Sequence, residues 1–463
     1  MASTYLTQTF GQAPTSNKIG TVSYWCKRSL LSSNQYAGLT WHDAGSSYGT
    51  YWNTSDQIDL WFYYPGSGAD YEGELKTNAK YRDINGWYHI LFAWDTTQAT
   101  NTNRLKLYVN GEQITDLATA TYPDQNQVVG IGGQTQHRIC ANSDNANTPW
   151  DGLMSHVYYV DGTMMTASDF GSTDATTGEW KINTSPTISS YGNNGFLILK
   201  DGNTITDQSP NSNNWTLTGT LTNTEDNPSN VFCTYNPLQQ TNGSATFSNG
   251  NTYFASGTNW IGTNGTIAAS EGKYYAEFKV GGTTGFGIGI ADISDTIGSN
   301  NTKKLSTGND GYQSKYVGGK HIFLNGSTII AHANNTTVFD NAAMGNTSFA
   351  SGDIASVALD IDNGLVFFGK NGTWLKSATE SEIEAGTDTN ATFKAGQTGT
   401  AIAGNTWTWS VTCENTNIYM NAGNGYFGTT AISSAGTNAS GIGIFEYDVP
   451  DGFTALSTKG LNE

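Results

Sequence analysis

Charge, cysteine and helical patterning are all scarce in this chain. Lys and Arg number 21 against 39 Asp and Glu, a formal net charge of −18, and charged residues make up only 13% of the 463. Phosphate backbones are bound by clustered cations. No basic run exists anywhere, which excludes a nucleic-acid partner. The four cysteines (Cys26, Cys140, Cys233 and Cys413) stand far apart with no CxxC spacing. They are expected to be reduced and buried, and no disulfide framework is implied. The six histidines (His42, His89, His137, His156, His321 and His332) form no H-x-H or H-x-x-x-H pair, so no zinc site is suggested. No apolar stretch approaches the ~18 residues of a membrane-crossing helix, and insertion into a bilayer is not expected. The opening MASTYLTQTFGQ has neither a charged n-region nor an apolar h-region, so no secretion signal is expected.

What is abundant is glycine, at 55 residues, and aromatic side chains, at 12% with 13 Trp and 24 Tyr. Aromatics on this scale argue against disorder, and Asn, Thr, Ser and Gly suit turns and solvent-facing strand positions. The fold class this predicts is all-β. The length exceeds the about 250–300 residues that one core can serve. Two sandwich domains are therefore expected, 1–230 and 231–463, joined by a polar, turn-rich connection containing Pro210, Pro228 and Pro237. In the first, Thr21 to Arg28 opens the strand pattern. Trp87 to Trp94 is apolar at nearly every position, as a strand buried on both faces should be. Leu105 to Val109 then alternates into the hairpin signal Asn110-Gly111. In the second, GKYYAEFKV places Tyr274, Ala276, Phe278 and Val280 on one face and Tyr275, Glu277 and Lys279 on the other. In GFGIGIAD the glycines leave one face bare for close approach of a strand or ring. Asp353 to Trp374 reads as a hairpin with turns at Asp362-Asn363-Gly364 and Asn371-Gly372, and Ile444 to Val449 as a last strand ended by Pro450.

These segments carry two resemblances. TVSYWCKRS, WYHILFAWD, LKLYVNGEQI and DGLMSHVYYVDG resemble the concanavalin A-like, laminin-G-like lectin superfamily. GKYYAEFKV, GFGIGIAD and GDIASVALDIDNGLVFFGKNGTW resemble the SPRY family. Both imply concanavalin-like, jelly-roll antiparallel β sandwiches in tandem. The order of the two, with DQSPNSNNWTLTG…EDNPSNVFCTYNPL between them and YDVPDGFTALST near the end, is similar to virion proteins of tailed phages, marine and cyanobacterial ones especially. That resemblance implies a tail fibre, appendage or capsid decoration assembled in a host cytoplasm. Its partners would be other virion proteins and a host surface glycan or receptor, and it leaves a homo-oligomer open. The alternatives are a purely structural subunit and a glycan depolymerase.

Related folds include glucan hydrolases, which need two carboxylates aimed across a cleft. The one dense acidic alternation, Glu380, Glu382 and Glu384, lies outside the lectin-like half in a stretch of loop composition. Gly45 to Gly49 matches G-x-S-x-G around Ser47, but the residues after it read as strand and turn, where no nucleophile elbow forms. No catalytic residue is therefore assigned, and no enzyme is expected. Calcium has oxygen donors in Asp144-Asn145, Asp151 and Asn309-Asp310 but no specific motif, and turn chemistry is the better account of these residues, so no cofactor is expected. The strongest binding feature is aromatic: Trp41, Tyr48, Tyr51, Trp52, Trp61, Tyr63, Tyr64 and Tyr71, set among Gly, Ser, Asn and Asp. Flat rings beside amides and carboxylates suit a sugar's apolar face and polar rim. The competing expectation is that half or more of them are core.

Overall fold

The computed structural model describes residues 4–43, 46–63, 73–144, 146–200, 202, 204–240, 244–282, 285–293, 319–325, 328–333, 336–345, 347–397 and 400–462. The chain divides into two compact units, Met1–Asn223 with Asn227–Ser229, and Thr224–Asp226 with Asn230–Glu463. Each is an antiparallel β sandwich, and the described helices are single turns.

In the first unit one sheet has eight described strands. Its order is Leu117–Thr121, Gly73–Thr77, Ile58–Tyr63, Ser46–Trp52, Leu39–Asp43, Gln136–Ile139, Tyr5–Thr9 and Thr216–Thr218. The other has six, with Gly152–Asp161, Ile19–Arg28 and Trp87–Asp95 at its centre. Alternate residues point to opposite faces of a strand. Val22, Tyr24, Ile90, Phe92 and Trp94 thus meet Leu39, Leu60 and Phe62 from the facing sheet in one core. Leu91 and Ala93, on the other side of Trp87–Asp95, lie under Tyr108, Tyr158, Ala167 and Phe170. That strand is buried on both faces, as its unbroken apolar run requires. The Asn110-Gly111 turn has φ of 48° and 86°, the left-handed pair that joins two strands in the tightest hairpin, and Val109 pairs with Glu112 across it.

In the second unit a seven-stranded sheet centred on Trp407–Cys413 and Phe286–Asp292 faces an eight-stranded one centred on Lys273–Val280 and Ile354–Asp360. Tyr274, Ala276, Phe278 and Val280 enter the shared core with Ile288, Ile290, Trp407 and Trp409. The bare face of GFGIGIAD is used as its composition suggests. The Phe323 ring lies where a side chain on Gly287 would sit, and the Lys320 carbonyl lies over Gly289.

Two expectations need correction. Glu380–Glu384 is a helical turn rather than a loop. Ile444 to Val449 joins no sheet and makes only an isolated parallel bridge, from Ile444 to Asn424, while Thr454–Ala455 pairs in parallel with Tyr274 and Tyr275. Three cysteines are buried and Cys140 is half-buried; all four are free thiols.

Candidate functional site

Strand alternation divides the aromatic set. In Ser46–Trp52, Tyr48 and Trp52 point into the core, while Ser47, Gly49 and Tyr51 face outward. In Ile58–Tyr63, Ile58, Leu60 and Phe62 are core and Asp59, Trp61 and Tyr63 face outward. Trp41 is core as well, its indole N–H donating to Thr135 Oγ1 at 2.7 Å. Trp41, Tyr48 and Trp52 are therefore packing residues and present no surface to a ligand. Tyr64 and Tyr71 lie outside the described residues.

The outward residues form one patch. Register pairs Tyr51 with Asp59 and Asp59 with Lys76; it likewise pairs Gly49 with Trp61 and Trp61 with Glu74. Tyr36, which sequence patterning did not single out because it sits in no strand run, stacks on Tyr51 with ring centroids 5.2 Å apart. Trp61 meets both rings edge-on, at 5.4 Å from Tyr36 and 5.2 Å from Tyr51, and its N–H donates to Ser47 Oγ at 2.8 Å. Such edge and offset geometries add to the area buried. Tyr36, Tyr51 and Tyr63 remain partly exposed.

Beside the rings stands a charged trio. Asp59 Oδ2 accepts from the Tyr51 hydroxyl at 3.1 Å and from Lys76 Nζ at 3.2 Å, while Glu74 takes the other side of the same ammonium at 2.5 Å. Asp59 is 2% exposed and its Oδ1 has no hydrogen-bond partner. Burial pushes its carboxyl above the usual range, against the pull of Lys76. A buried acceptor with nothing to accept is costly, and Asp59 is held in place by Tyr51 and Lys76. Chemically the patch offers the partly exposed rings of Tyr36, Tyr51 and Tyr63 and the Lys76 ammonium, with Trp61 and Asp59 buried beneath them.

The other reactive-looking groups are engaged in structure. His89 is buried between Trp25 and Trp180. The Trp180 indole N–H donates to His89 Nδ1 at 3.1 Å, which leaves the proton on Nε2, 2.8 Å from Ser23 Oγ. An imidazole in that tautomer gives a proton to the serine and cannot take one, so the pair makes no activated nucleophile. Burial holds His89 down to about 3. Glu382 caps its own helix: Oε2 accepts from the Thr379 amide at 2.9 Å, and both oxygens accept from the Asn390 side chain at 3.1 Å. Those bonds lower its pKa. Ser47 lies in a strand and accepts from Trp61. Among the described residues no three His, Cys, Asp or Glu side chains converge as a metal site would require. Of the calcium candidates, Asp144 lies 3.8 Å from His42, burial raises the Asp151 carboxyl, and Asn145 and Asn309-Asp310 lie outside the described residues.

Residues 2–169 match the concanavalin A-like lectin/glucanases superfamily, so the first unit carries a laminin-G-like domain of that kind. No curated protein matches the chain. Among solved structures it is similar to the SPRY domain of human HERC1, with 13% identity over 40% of this chain and 96% of that one and a TM-score of 0.27. It is also similar to the heptameric SAP-like pentraxin from Limulus polyphemus, at 16% identity over 36% of this chain and 72% of that one, TM-score 0.26. A third likeness is to the TRIM65 PSpry domain, at 11% identity over 41% and 89%, TM-score 0.27. Likenesses of this degree concern how a chain folds, not what it binds.

Proposed function

We propose that this chain is a surface protein of a tailed-phage particle, a fibre, appendage or decoration unit whose first unit binds glycan on the host. One observation carries the binding part: the outward face of the eight-stranded sheet sets the partly exposed rings of Tyr36 and Tyr51 against the buried Trp61, beside the Lys76 ammonium that Asp59 and Glu74 hold. The placement on a virion is supported by the likeness of module order and linker sequence, and by an acidic chain with free thiols. On this reading the partners are neighbouring virion proteins and a host envelope glycan. On the same reading the protein binds without cleaving, which the capping role of Glu382 and the proton placement in the Ser23–His89 pair support.

The test is saturable adsorption of the purified protein to host cells or a glycan array, repeated with Tyr51→Ala and Asp59→Asn. Both variants are expected to weaken adsorption at least tenfold while the circular dichroism spectrum stays unchanged. Absence of saturable binding in the unsubstituted protein would sink the adhesion reading and leave a purely structural subunit. Reducing-end release from envelope polysaccharide, lost on Glu382→Gln, would show a depolymerase instead.

A further inference from the structure

A carboxyl group with no counter-ion among the described residues lies on the outer face of the strand Lys273–Val280. Glu277 is fully buried. Its Oε1 accepts from the Tyr447 amide at 2.8 Å and the Tyr275 hydroxyl at 3.1 Å; its Oε2 accepts from the Glu446 amide at 2.8 Å and the Asn421 side chain at 3.2 Å. Both amides belong to the segment 442–449, which joins no sheet. Its Phe445 and Val449 pack on Tyr275, Ala358 and Phe367. Asn421 ties the same segment down by donating to the Ile444 carbonyl at 2.9 Å.

Among the described residues, the ionisable groups around the carboxyl offer it no cation. On its own strand Lys273 pairs with Asp360 at 3.1 Å, and Lys279 lies over the Phe427 ring. The neighbouring strands contribute Ser356 and Asn421, and the segment itself contributes Glu446, Tyr447 and Asp448. A buried charge with only neutral donors recovers part of its lost hydration and no more. The neutral acid fits the same cage. Its O–H can turn to the Tyr275 oxygen, Tyr275 donates on to Ser356 Oγ at 3.0 Å, and the carboxyl oxygens still accept both amides.

We propose that Glu277 is a protonation latch: as the neutral acid it holds segment 442–449 against the sheet, and its ionisation loosens that segment as pH rises. Burial pushes the carboxyl up to about 7, against the pull of its four donors. With the segment released the Glu277 carboxyl would meet water and return toward the ordinary 4.5. The folded value is thus the higher one. Closure is favoured in full below 4.5, and the advantage is lost as pH climbs through about 7.

Amide hydrogen exchange of the full chain between pH 5 and 9, corrected for intrinsic base catalysis, tests this. Protection of the Glu446 and Tyr447 amides is expected to fall by up to tenfold per pH unit as pH rises toward about 7 and to level off above it, where both states are ionised. Val411, on a central strand of the other sheet, should stay protected throughout. In Glu277→Gln nothing titrates, and the profile should be flat. A flat profile in the unsubstituted protein, or an unchanged slope in Glu277→Gln, overturns the latch. Carbon-13 titration of the Glu side chains of the unsubstituted protein decides the matter even if that variant does not fold: one carboxyl should titrate near neutrality, and none above about pH 5.5 would refute it.

Discussion

Tyr51 and Trp52 are adjacent in the chain and end on opposite sides of one sheet, and their expected mutational effects differ accordingly. Trp52 is fully buried, 5.1 Å from Trp150, with the Arg28 guanidinium 5.5 Å over its ring. Trp52→Ala should cost about 3–5 kcal/mol, read from the urea midpoint of the first unit. Tyr51→Ala should cost far less stability and act on ligand capture. Gly20 is a third case. Its backbone lies against the Trp94 indole, where a methyl group has no room. Gly20→Ala is expected to destabilise by about 1–3 kcal/mol through overpacking, measured by the same denaturant series. An unchanged midpoint would mean that the Trp94 ring can move aside.

Among the elements, the helical turn Glu380–Glu384 shows how a motif can mislead. An acidic alternation that could pass for catalytic carboxylates is a capping box. The Glu382 amide donates to Thr379 Oγ1 at 3.3 Å, and the Glu382 carboxylate accepts from the Thr379 amide at 2.9 Å. Thr379→Ala should lower the stability of the second unit by about 1 kcal/mol in thermal unfolding and leave glycan adsorption unchanged. The segment after Gly443 is a second instance. Phe445, Tyr447 and Val449 alternate like a strand, yet their neighbouring amides are claimed by a side chain, Glu277, and no ladder forms.

Over the whole molecule, the buried histidines tie stability to acid. Burial holds His89, His137 and His321 down to about 3, well below the ordinary 6.5. Between those values the unfolded chain takes up protons that the folded chain refuses, so stability rises with pH across the window. At pH 5 each such histidine costs about 2 kcal/mol relative to neutral pH. Both units should therefore melt at progressively lower temperature from pH 7 to pH 4, since His89 and His137 belong to the first and His321 to the second. Replacing His137 by Gln should flatten the fall for the first unit in calorimetry; an equal fall would assign the acid sensitivity elsewhere.

The sequence by itself determined the β class, the sandwich strands and their tight turns, because these rest on local signals. Alternation, glycine and Asn-Gly act over a few residues, and both Asn110-Gly111 and Asn371-Gly372 adopt the left-handed pair their composition suggests. Which aromatic rings reach the surface is also periodic, but the phase is set by the partner sheet: Tyr51 and Trp52 differ only in which side finds a core. Tertiary structure alone brought Tyr36 onto Tyr51, left Asp59 Oδ1 without a partner, fixed the His89 tautomer through Trp180, and closed residues 446 and 447 over Glu277. These contacts reach as far as 170 positions along the chain. Local pattern does not select them, because the energy that does is burial, and burial exists only once the sheets have met.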